Sequence, residues 1–505
     1  MRRTVVCLAL LGLLALGRQA TAVICTIDDV PAATLLLPYF EVDLARGNGV
    51  TTLFSINNAS ATAVLAHVVV WSDLSVPVLD FNVYLTGYDV QSINLRDVLV
   101  LGNLPQTASA GQDPNDTLSP KGKFSQDINF ASCQGQLPPP HLPPSFLAHL
   151  QAALTGQFSS ILGGCAGVAN DDNIARGYLT VDTVNNCSLR FPGDAGYFAA
   201  GGTGDATDQN VLWGDSFYLN SGTNRADGET LVHVEASATN PETSVPGQYT
   251  FYGRYVNWTA VDNREPLATN FAGRFISVGA FSGGTQWVVW RDSKVKQGAF
   301  KCGTTPTWYP LGQEGLAIFD EQEHPFIAQV FPLSPQPPDL GITPFPAETQ
   351  STLVNGADLP VPFDFGWIYA DLNTTVTAAG NNPPEDPAAA QAWVEVVLSS
   401  EGRYSVGFDA VKLDSACVAT HFDPSQAVVE PPAAIFGFAK AGLNIFFTDS
   451  SRGHPTSWSW DFGDGGTSTL ENPAHTYAVA GNYAVKMLVS NSAGSSSETL
   501  VIAMP

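Results

Sequence analysis

The sequence predicts an all-β chain built from several β-sandwich domains. Three observations predict this class. Short runs in which apolar and polar residues alternate recur from about residue 50 to residue 410, and clusters of Gly, Pro, Asn and Asp separate them. Only one stretch has convincing helical spacing. No internal repeat of regular period is present, which argues against a propeller or a solenoid.

The first strands are defined by their periodicity. Val50–Ile56 alternates directly after the turn signal Gly47-Asn48-Gly49, which predicts a hairpin. Val64–Trp71 is apolar on both faces and is therefore predicted as a central strand. Leu79–Leu85 alternates cleanly with polar residues, as a half-buried strand does.

The predicted helix follows a long segment rich in Pro and Gly. Pro144 suits its first turn, apolar residues keep helical spacing as far as Leu154, and Gly156 can end it. Strand patterns then resume at Tyr178–Val181, Leu231–Glu235, Tyr249–Val256, Gln286–Arg291, Trp393–Leu398 and Tyr404–Ala410.

These patterns predict a domain order along the chain. The predicted segments are a signal peptide at 1–22, an N-terminal sandwich part at 23–102, a long loop with a short helix at 103–169, a larger β-rich domain at 170–422, a linker at 423–432 and a final domain at 433–505.

The N-terminus has the features of an export signal. Arg2 and Arg3 give a positive start, Val5–Leu16 an apolar core, and Ala20-Thr21-Ala22 a small-residue cleavage site. The apolar core is shorter than the roughly twenty residues that span a bilayer, and no later stretch comes closer. We therefore expect a secreted or cell-surface protein without a membrane span.

Cysteine number agrees with export. Seven cysteines are present, and one of them, Cys7, lies in the predicted signal. An even number in an exported chain favours disulfides, although six cysteines allow about fifteen pairings. The candidates are Cys25, Cys133, Cys165, Cys187, Cys302 and Cys417.

The chain is strongly acidic, with 47 Asp and Glu against 22 Lys and Arg and a formal net charge of −25. This charge repels nucleic acid and anionic membranes. It favours solubility outside the cell, and calcium binding by loop carboxylates is the alternative. Because no loop matches an EF-hand or a nonapeptide calcium repeat, we expect no cofactor, with calcium left open.

The last roughly eighty residues carry a recognisable set of motifs. These are Ile445–Ser451, Trp458-Ser459-Trp460-Asp461-Phe462-Gly463-Asp464-Gly465, Asn472–Tyr477 and Gly481–Val485. Together they resemble the polycystic-kidney-disease (PKD) domain family. The resemblance implies an immunoglobulin-like sandwich that serves as an extracellular spacer or as an interaction module for protein or polysaccharide.

The residues themselves agree with a sandwich. Trp460 and Phe462 alternate with Asp461, so the aromatic rings can face inward while the carboxylate points outward or caps the following turn. Gly463 and Gly465 permit positive φ there. The resemblance implies a structural role for the whole set Trp460, Asp461, Gly463, Asp464, Gly465, His475, Tyr477 and Tyr483.

Arginines concentrate in one interval of this cation-poor chain, together with tryptophans. Arg254, Arg264, Arg274 and Arg291 lie within 38 residues, and Trp290 is adjacent to the last. One interpretation is a set of Arg–carboxylate pairs that lock neighbouring strands. The other is a binding site for an anionic ligand or an acidic sugar, with stacking on the indole.

Gly214-Asp215-Ser216-Phe217 is similar to the nucleophile block of GDSL-type esterases. However, it lies mid-chain among strand patterns, and neither His324 nor His421 has Asp three positions before it. A tight turn between two strands is the interpretation that we prefer.

Two hypotheses for function remain. The first is a secreted or cell-surface binding or structural protein whose PKD module contacts extracellular protein or polysaccharide. The alternative is a secreted hydrolase with the PKD domain as an accessory, since carboxylate-pair enzymes carry no reliable short motif. The absence of a recognised catalytic constellation favours the first.

Overall fold

The computed structural model describes residues 30–107, 133, 137–237, 249–322, 324–328, 342–384, 390–415, 420–421, 432–451, 455–491 and 494–505. The chain divides into two compact units, Met1–Phe422 and Asp423–Pro505. The predicted signal peptide and almost all of the predicted linker lie outside the described residues, as do Cys25 and Cys417.

The first unit consists mainly of strands. The first ten are β1 (Thr34–Asp43), β2 (Thr51–Asn58), β3 (Val64–Ser72), β4 (Pro77–Leu85), β5 (Val90–Asn94), β6 (Ile174–Val184), β7 (Leu212–Trp213), β8 (Asp215–Asn220), β9 (Arg225–Thr230) and β10 (Val232–Val234). Those that follow are β11 (Asn270–Ile276), β12 (Gly284–Arg291), β13 (Gly315–Asp320), β14 (Pro325–Ala328), β15 (Thr349–Leu353), β16 (Phe365–Asp371), β17 (Ala392–Ser400), β18 (Tyr404–Asp409), β19 (Val411–Lys412), β20 (Asp414–Ser415) and β21 (Thr420–His421).

Strands β1–β10 form a first sandwich. One sheet has the order β10-β1-β6-β3-β4, and the other has the order β5-β2-β8-β9 with β7 beside β2. Both sheets contribute to one core, which includes Phe40, Ile56 and Val68. The central-strand prediction for Val64–Trp71 is confirmed, because every residue of β3 is buried and β4 and β6 flank it.

Two sequence predictions fail in this sandwich. The turn at Gly47-Asn48-Gly49 does not make a hairpin: β1 and β2 belong to different sheets, so the chain crosses the core there. Ser216 does not lie in a turn either. It is fully buried inside β8, and its hydroxyl donates to the carbonyl of Glu229 at 3.4 Å.

The predicted boundaries at 102 and 170 do not separate two domains. Strand β1 pairs with β6, and β2 pairs with β8, so strands from either side of these boundaries share both sheets. Backbone hydrogen bonds within a sheet join strands that are distant in sequence. Residues 30–102 and 170–234 therefore belong to one sandwich.

Strands β11–β19 form a second sandwich in the same unit. Its sheets have the orders β14-β13-β16-β11-β19 and β15-β12-β17-β18. Phe271, Trp287, Ile318 and Val396 share the core between them. β20 and β21 pair separately as a short ladder.

The predicted strand at Tyr249–Val256 is instead mostly a series of turns. Its aromatic side chains are buried: Phe251 and Tyr252 pack with Trp71 of the first sandwich and Trp290 of the second. Burial of these aromatic rings therefore joins the two sandwiches through a segment of turns and not through a strand.

The described helices are short. α1 (Leu95–Leu99) begins after Asn94, whose side chain accepts from the Arg96 backbone N–H. α2 (Pro144–Leu154) confirms the predicted helix and packs Leu150 into the first core. Gly156 follows with a φ of +70°, and a side chain there would clash with the Val168 backbone. A 3₁₀ turn spans Gly279–Phe281.

Two disulfides are present among the described cysteines. Cys133 pairs with Cys187 across 54 residues, and Cys165 pairs with Cys302 across 137. The second bond ties the segment after α2 to the segment after β12. Four of the six candidate cysteines are thus confirmed in disulfides.

The second unit is a small sandwich. Its strands are β22 (Phe436–Ala441), β23 (Asn444–Asp449), β24 (Ser457–Asp461), β25 (Thr467–Ser468), β26 (Ala474–Thr476), β27 (Gly481–Asn491) and β28 (Gly494–Met504). They form sheets of order β22-β23-β26 and β25-β24-β27-β28. Aromatic rings dominate the core, with Phe447, Trp460, Phe462 and Tyr477 in contact.

Within the described ranges, no helix is both long and apolar enough to cross a membrane.

Candidate functional site

The first candidate is the arginine cluster, in which Arg254 forms a buried ion pair. Its guanidinium donates to both carboxylate oxygens of Glu348, at 2.6 and 2.8 Å, and lies 3.2 Å from Asp292. The side chains of all three are at most 2% exposed. This bidentate pair joins the turn segment at 249–258 to the start of β15.

Arg264 is enclosed in a separate network. Its Nε donates to Thr34 Oγ1 at 2.6 Å, and its two other nitrogens donate to the carbonyls of Asp262 and Thr207 at 2.6 and 3.0 Å. Asp182 lies 3.6 Å away. Every nitrogen of this guanidinium has a partner inside the protein, so none is left for a ligand.

Arg291 and its neighbour Trp290 are also internal. Arg291 is fully buried, and burial lowers its pKa to about 10. Its terminal nitrogens donate to backbone carbonyls, which belong to Leu311, Gly312, Phe345 and Leu372. Trp290 is 2% exposed and packs on Phe251 and Tyr178.

Arg274 lies apart from the others. It is an exposed residue of β11, opposite Trp367 of β16. The four arginines therefore do not meet at an open cleft. Three of them hold separate parts of the first unit together, Arg254 through carboxylates and Arg291 through backbone carbonyls. The interpretation of the cluster as Arg–carboxylate pairs that lock neighbouring strands stays a prediction.

The second candidate is the motif-bearing turn of the second unit. Asp461 Oδ1 accepts from the Gly463 N–H, and Asp464 Oδ1 accepts from the Gly466 N–H, both at 2.9 Å. Gly463 and Gly465 have φ values of +80° and +92°, which side chains other than glycine rarely adopt. The two carboxylates thus cap successive backbone turns.

His475 completes this turn. Its Nε2 lies 2.8 Å from Asp464 Oδ2, and its ring stacks on Phe462 with centroids 4.2 Å apart. Partial burial acts to raise the pKa of Asp464, but the hydrogen bonds from His475 and Gly466 outweigh it, so the pKa lies below its ordinary value. The carboxyl is ionised at neutral pH and acts as an acceptor.

Aromatic residues anchor the turn to the core. Trp460 Nε1 donates to the Leu470 carbonyl at 2.9 Å, and the Tyr477 hydroxyl donates to the Phe462 carbonyl at 2.8 Å. Tyr483 stacks on Tyr477 with centroids 3.9 Å apart. The side chains of Trp460, Tyr477 and Tyr483 therefore all have internal partners, as do those of the two aspartates and His475. These contacts agree with a structural role, which stays a prediction.

The outer face of the sheet β22-β23-β26 differs from this turn. Phe446 points outward from β23 and is 52% exposed. Its partners across the sheet are Ala439 in β22 and Ala474 in β26, so only methyl groups flank the ring. The result is a flat, uncharged surface, which we call the Phe446 face. Its residues are Gly437, Ala439, Ala441, Asn444, Phe446, Thr448, Ala474 and Thr476.

Sequence reasoning missed the Phe446 face, although a signal was present. Phe446 and Phe447 are adjacent in a strand, so only one of them can face the core. Phe447 is 2% exposed and Phe446 is the outward residue.

Comparison with known proteins identifies the second unit. Residues 423–504 match the family described as the PKD domain. They form a PKD domain. The resemblance that the motifs implied is thereby confirmed for this unit, and the comparisons assign no family to the residues before it.

Two curated relatives carry similar segments. Collagenase ColQ1 of Bacillus cereus strain Q1 is 35% identical over 108 residues, which is 20% of this chain and 10% of that protein. Collagenase ColA of Bacillus cereus strain ATCC 14579 is 45% identical over 51 residues, which is 10% of this chain and 5% of that protein. This chain therefore spans at most a tenth of the length of these relatives.

Solved structures of PKD domains are also similar. The PKD1 domain of the Vibrio cholerae metalloprotease PrtV is 32% identical and covers 14% of this chain and 95% of that chain, with a TM-score of 0.14. The PKD1 domain of Vibrio anguillarum Epp is 28% identical and covers 15% of this chain and 94% of that chain, with a TM-score of 0.14. The PKD module points to an extracellular setting.

The described residues contain no group of three or more His, Cys, Asp or Glu side chains that could hold a metal ion. The expectation about cofactors, including calcium, stays a prediction.

Proposed function

We propose that this chain is an exported binding protein whose PKD domain contacts extracellular protein through the Phe446 face. The observation that carries the proposal is the exposed ring of Phe446 between two alanines on a flat sheet surface. An exposed aromatic on a flat, uncharged surface is typical of a contact site, because it buries a large apolar area at small entropic cost.

Collagen is the first ligand to test. Two relatives that share a segment with this chain are named collagenases, so fibrous extracellular protein is the substrate class that their names supply. A long fibre presents a continuous surface, and a flat face can contact it without a deep pocket. The acidic charge of the chain disfavours nucleic acid and anionic membranes as alternatives.

The test compares two variants of the full exported chain on immobilised collagen. We expect Phe446→Ala to weaken binding at least tenfold, since a central aromatic contact dominates such interfaces. The matched control is Val501→Ala, which removes a 73% exposed side chain from the other sheet of the same domain. Equal binding by the wild type and Phe446→Ala would refute the proposal.

Polysaccharide surfaces provide the second arm of this experiment. The chain is tested for retention on chitin or cellulose. If it is retained, and retention is lost in Phe446→Ala and kept in Val501→Ala, that result would show that the Phe446 face binds polysaccharide and would refute the proposal that its ligand is a protein.

The hydrolase hypothesis is tested with the same preparations. Incubation with gelatin, casein and soluble polysaccharides would reveal turnover by residues 23–426. Turnover that persists in Phe446→Ala would assign catalysis to the first unit and make the PKD domain an accessory.

A further inference from the structure

A cavity of about 160 Å³ lies in the first unit, where its two sandwiches meet. Tyr39 of β1 and Tyr218 of β8 come from the first sandwich, while Gln286 of β12 and Ser351 of β15 come from the second. Junctions between packed layers are common locations for ligand sites. Nothing in the proposed role of the PKD domain uses this cavity.

The floor of the cavity is aromatic and aliphatic. Tyr39, Tyr218, Val288 and Val397 form one buried cluster, each at most 8% exposed. The Tyr218 hydroxyl donates to the backbone carbonyl of Tyr39, and the Tyr39 hydroxyl donates to Glu41, so each ring is held by a hydrogen bond of its own. A fixed floor of this kind suits the flat face of a ring.

The walls carry polar groups with capacity for further hydrogen bonds. The Gln286 amide and the Ser351 hydroxyl make no hydrogen bond within the described part of the chain. Arg225 is held by one nitrogen only, its Nε, at 2.7 Å from Asp227. Glu41 is oriented through one oxygen, Oε1, which accepts from the Tyr39 hydroxyl at 2.7 Å.

The charges around the cavity favour a neutral ligand. Arg46 is paired with Asp43 at 2.6 Å, and Arg225 is paired with Asp227. Glu41 faces Arg176 at 3.5 Å, and Arg176 also pairs with Asp172 at 2.6 Å. Glu41, Arg46 and Arg225 line the cavity, and each of them has a partner of opposite charge, so an anion meets no unpaired positive charge there.

The cavity is partly open to solvent, and its volume indicates how much of a ligand it can enclose. A cavity of roughly 150 Å³ accepts one benzene ring. A ligand with one six-membered ring, one apolar face and several hydroxyls would fit both the tyrosine floor and the mixed donors and acceptors of the walls. We propose that this cavity binds one neutral sugar ring, either a free monosaccharide or the terminal unit of a glycan.

The test measures sugar binding by the full exported chain with ligand-observed NMR and calorimetry. The probes are glucose, galactose, mannose and N-acetylglucosamine, with glucuronate as the anionic comparison. We expect a neutral sugar to bind with a dissociation constant on the order of 1 mM, because so small a ligand buries little surface. Binding of the matching oligosaccharide at least tenfold more tightly would identify a glycan end as the source, whereas equal affinity would identify the free sugar.

Two variants replace a polar group of the cavity wall by an apolar one without breaking an internal hydrogen bond. Gln286→Leu and Ser351→Val should each weaken sugar binding at least tenfold, and either one suffices if the other does not fold. Gln209→Leu is the matched control, because Gln209 is exposed and lies outside the cavity. The proposal is overturned if no neutral sugar binds the wild type, if glucuronate binds more tightly, or if binding survives in both variants. Collagen binding should stay unchanged in all of them, which separates this site from the Phe446 face.

Discussion

The two units use carboxylates in opposite ways. In the first unit, Glu348 meets Arg254 across 94 residues, and their side chains are at most 2% exposed. In the PKD domain, Asp464 meets His475 across 11 residues, and their side chains are 24% and 18% exposed. A buried pair has lost its water and depends entirely on its partner, whereas an exposed pair can exchange its partner for solvent.

The largest expected effect comes from breaking the buried pair. Arg254→Met leaves Glu348 without its guanidinium in a site that excludes water. We expect the free energy of unfolding of the first unit to fall by about 3–5 kcal/mol, the usual cost of an unpaired buried charge. Chemical denaturation followed by tryptophan fluorescence measures this change.

The control for this variant also removes the carboxylate that Arg254 contacts through both oxygens. Arg254→Met combined with Glu348→Leu leaves Asp292 as the one buried carboxylate that has lost the guanidinium, so the double variant should recover part of the lost stability. If Arg254→Met were as stable as the wild type, the Glu348 carboxylate would not need the guanidinium. The buried pair would then stabilise the fold no more than the exposed pair of the PKD domain does.

A buried carboxyl without an arginine partner gives the next effect. Asp73 is 5% exposed, and its two oxygens accept from the Val168 N–H at 3.1 and 3.2 Å. Burial raises its pKa from 3.8 to about 7. The folded state therefore holds a proton that the unfolded state has released, and the contribution to stability is full below about pH 4 and is lost as the pH rises through 7.

Asp73→Asn should remove this pH dependence. Asparagine keeps an acceptor for Val168 but cannot ionise. Relative to the wild type, the variant should gain stability between pH 4 and 7 by at most about 1.4 kcal/mol per pH unit. Thermal unfolding at intervals of one pH unit measures the difference, and a constant difference across this range would contradict the raised pKa.

These contrasts explain what the sequence could predict. Strand β3, helix α2 and the capping aspartates of the PKD domain were predicted because each depends on residues within about a dozen positions. Glu348 was not predicted as the partner of Arg254, because no local sequence pattern connects these two residues. Nor could a turn signal reveal that β1 and β2 join different sheets, because pairing is decided by strands β6 and β8 far along the chain.

The candidate sites follow the same division. The motif residues of the PKD domain were found from sequence. Their side chains make hydrogen bonds within the domain, so they are not available to a ligand. The outward position of Phe446 could have been predicted, because buried and exposed residues alternate along its strand. The cavity forms where three strands from two sandwiches converge and bring together Tyr39, Gln286 and Ser351. The periodicity of a single strand therefore could not predict it.

The smallest expected effect tests the exposed pair. Asp464→Asn keeps an acceptor for the Gly466 N–H but loses the charge that faces His475. We expect the PKD domain to lose about 0.5 kcal/mol at neutral pH, within the usual range for partly exposed pairs. Because the pKa of Asp464 is lowered, its contribution is present above about pH 4 and disappears as the pH falls through the lowered pKa, so the variant and the wild type should converge in acid.

The control for this last variant is Asp461→Asn, which makes the same change at a carboxylate that caps Gly463 in the same turn. Its loss should not depend on the ring of His475, so combining it with His475→Gln should give additive effects, whereas Asp464→Asn and His475→Gln should be non-additive. A loss of more than about 2 kcal/mol in Asp464→Asn would place this pair in the class of the buried network. The local motif would then stabilise the PKD domain as strongly as the long-range pair stabilises the first unit, and exposure would no longer separate them.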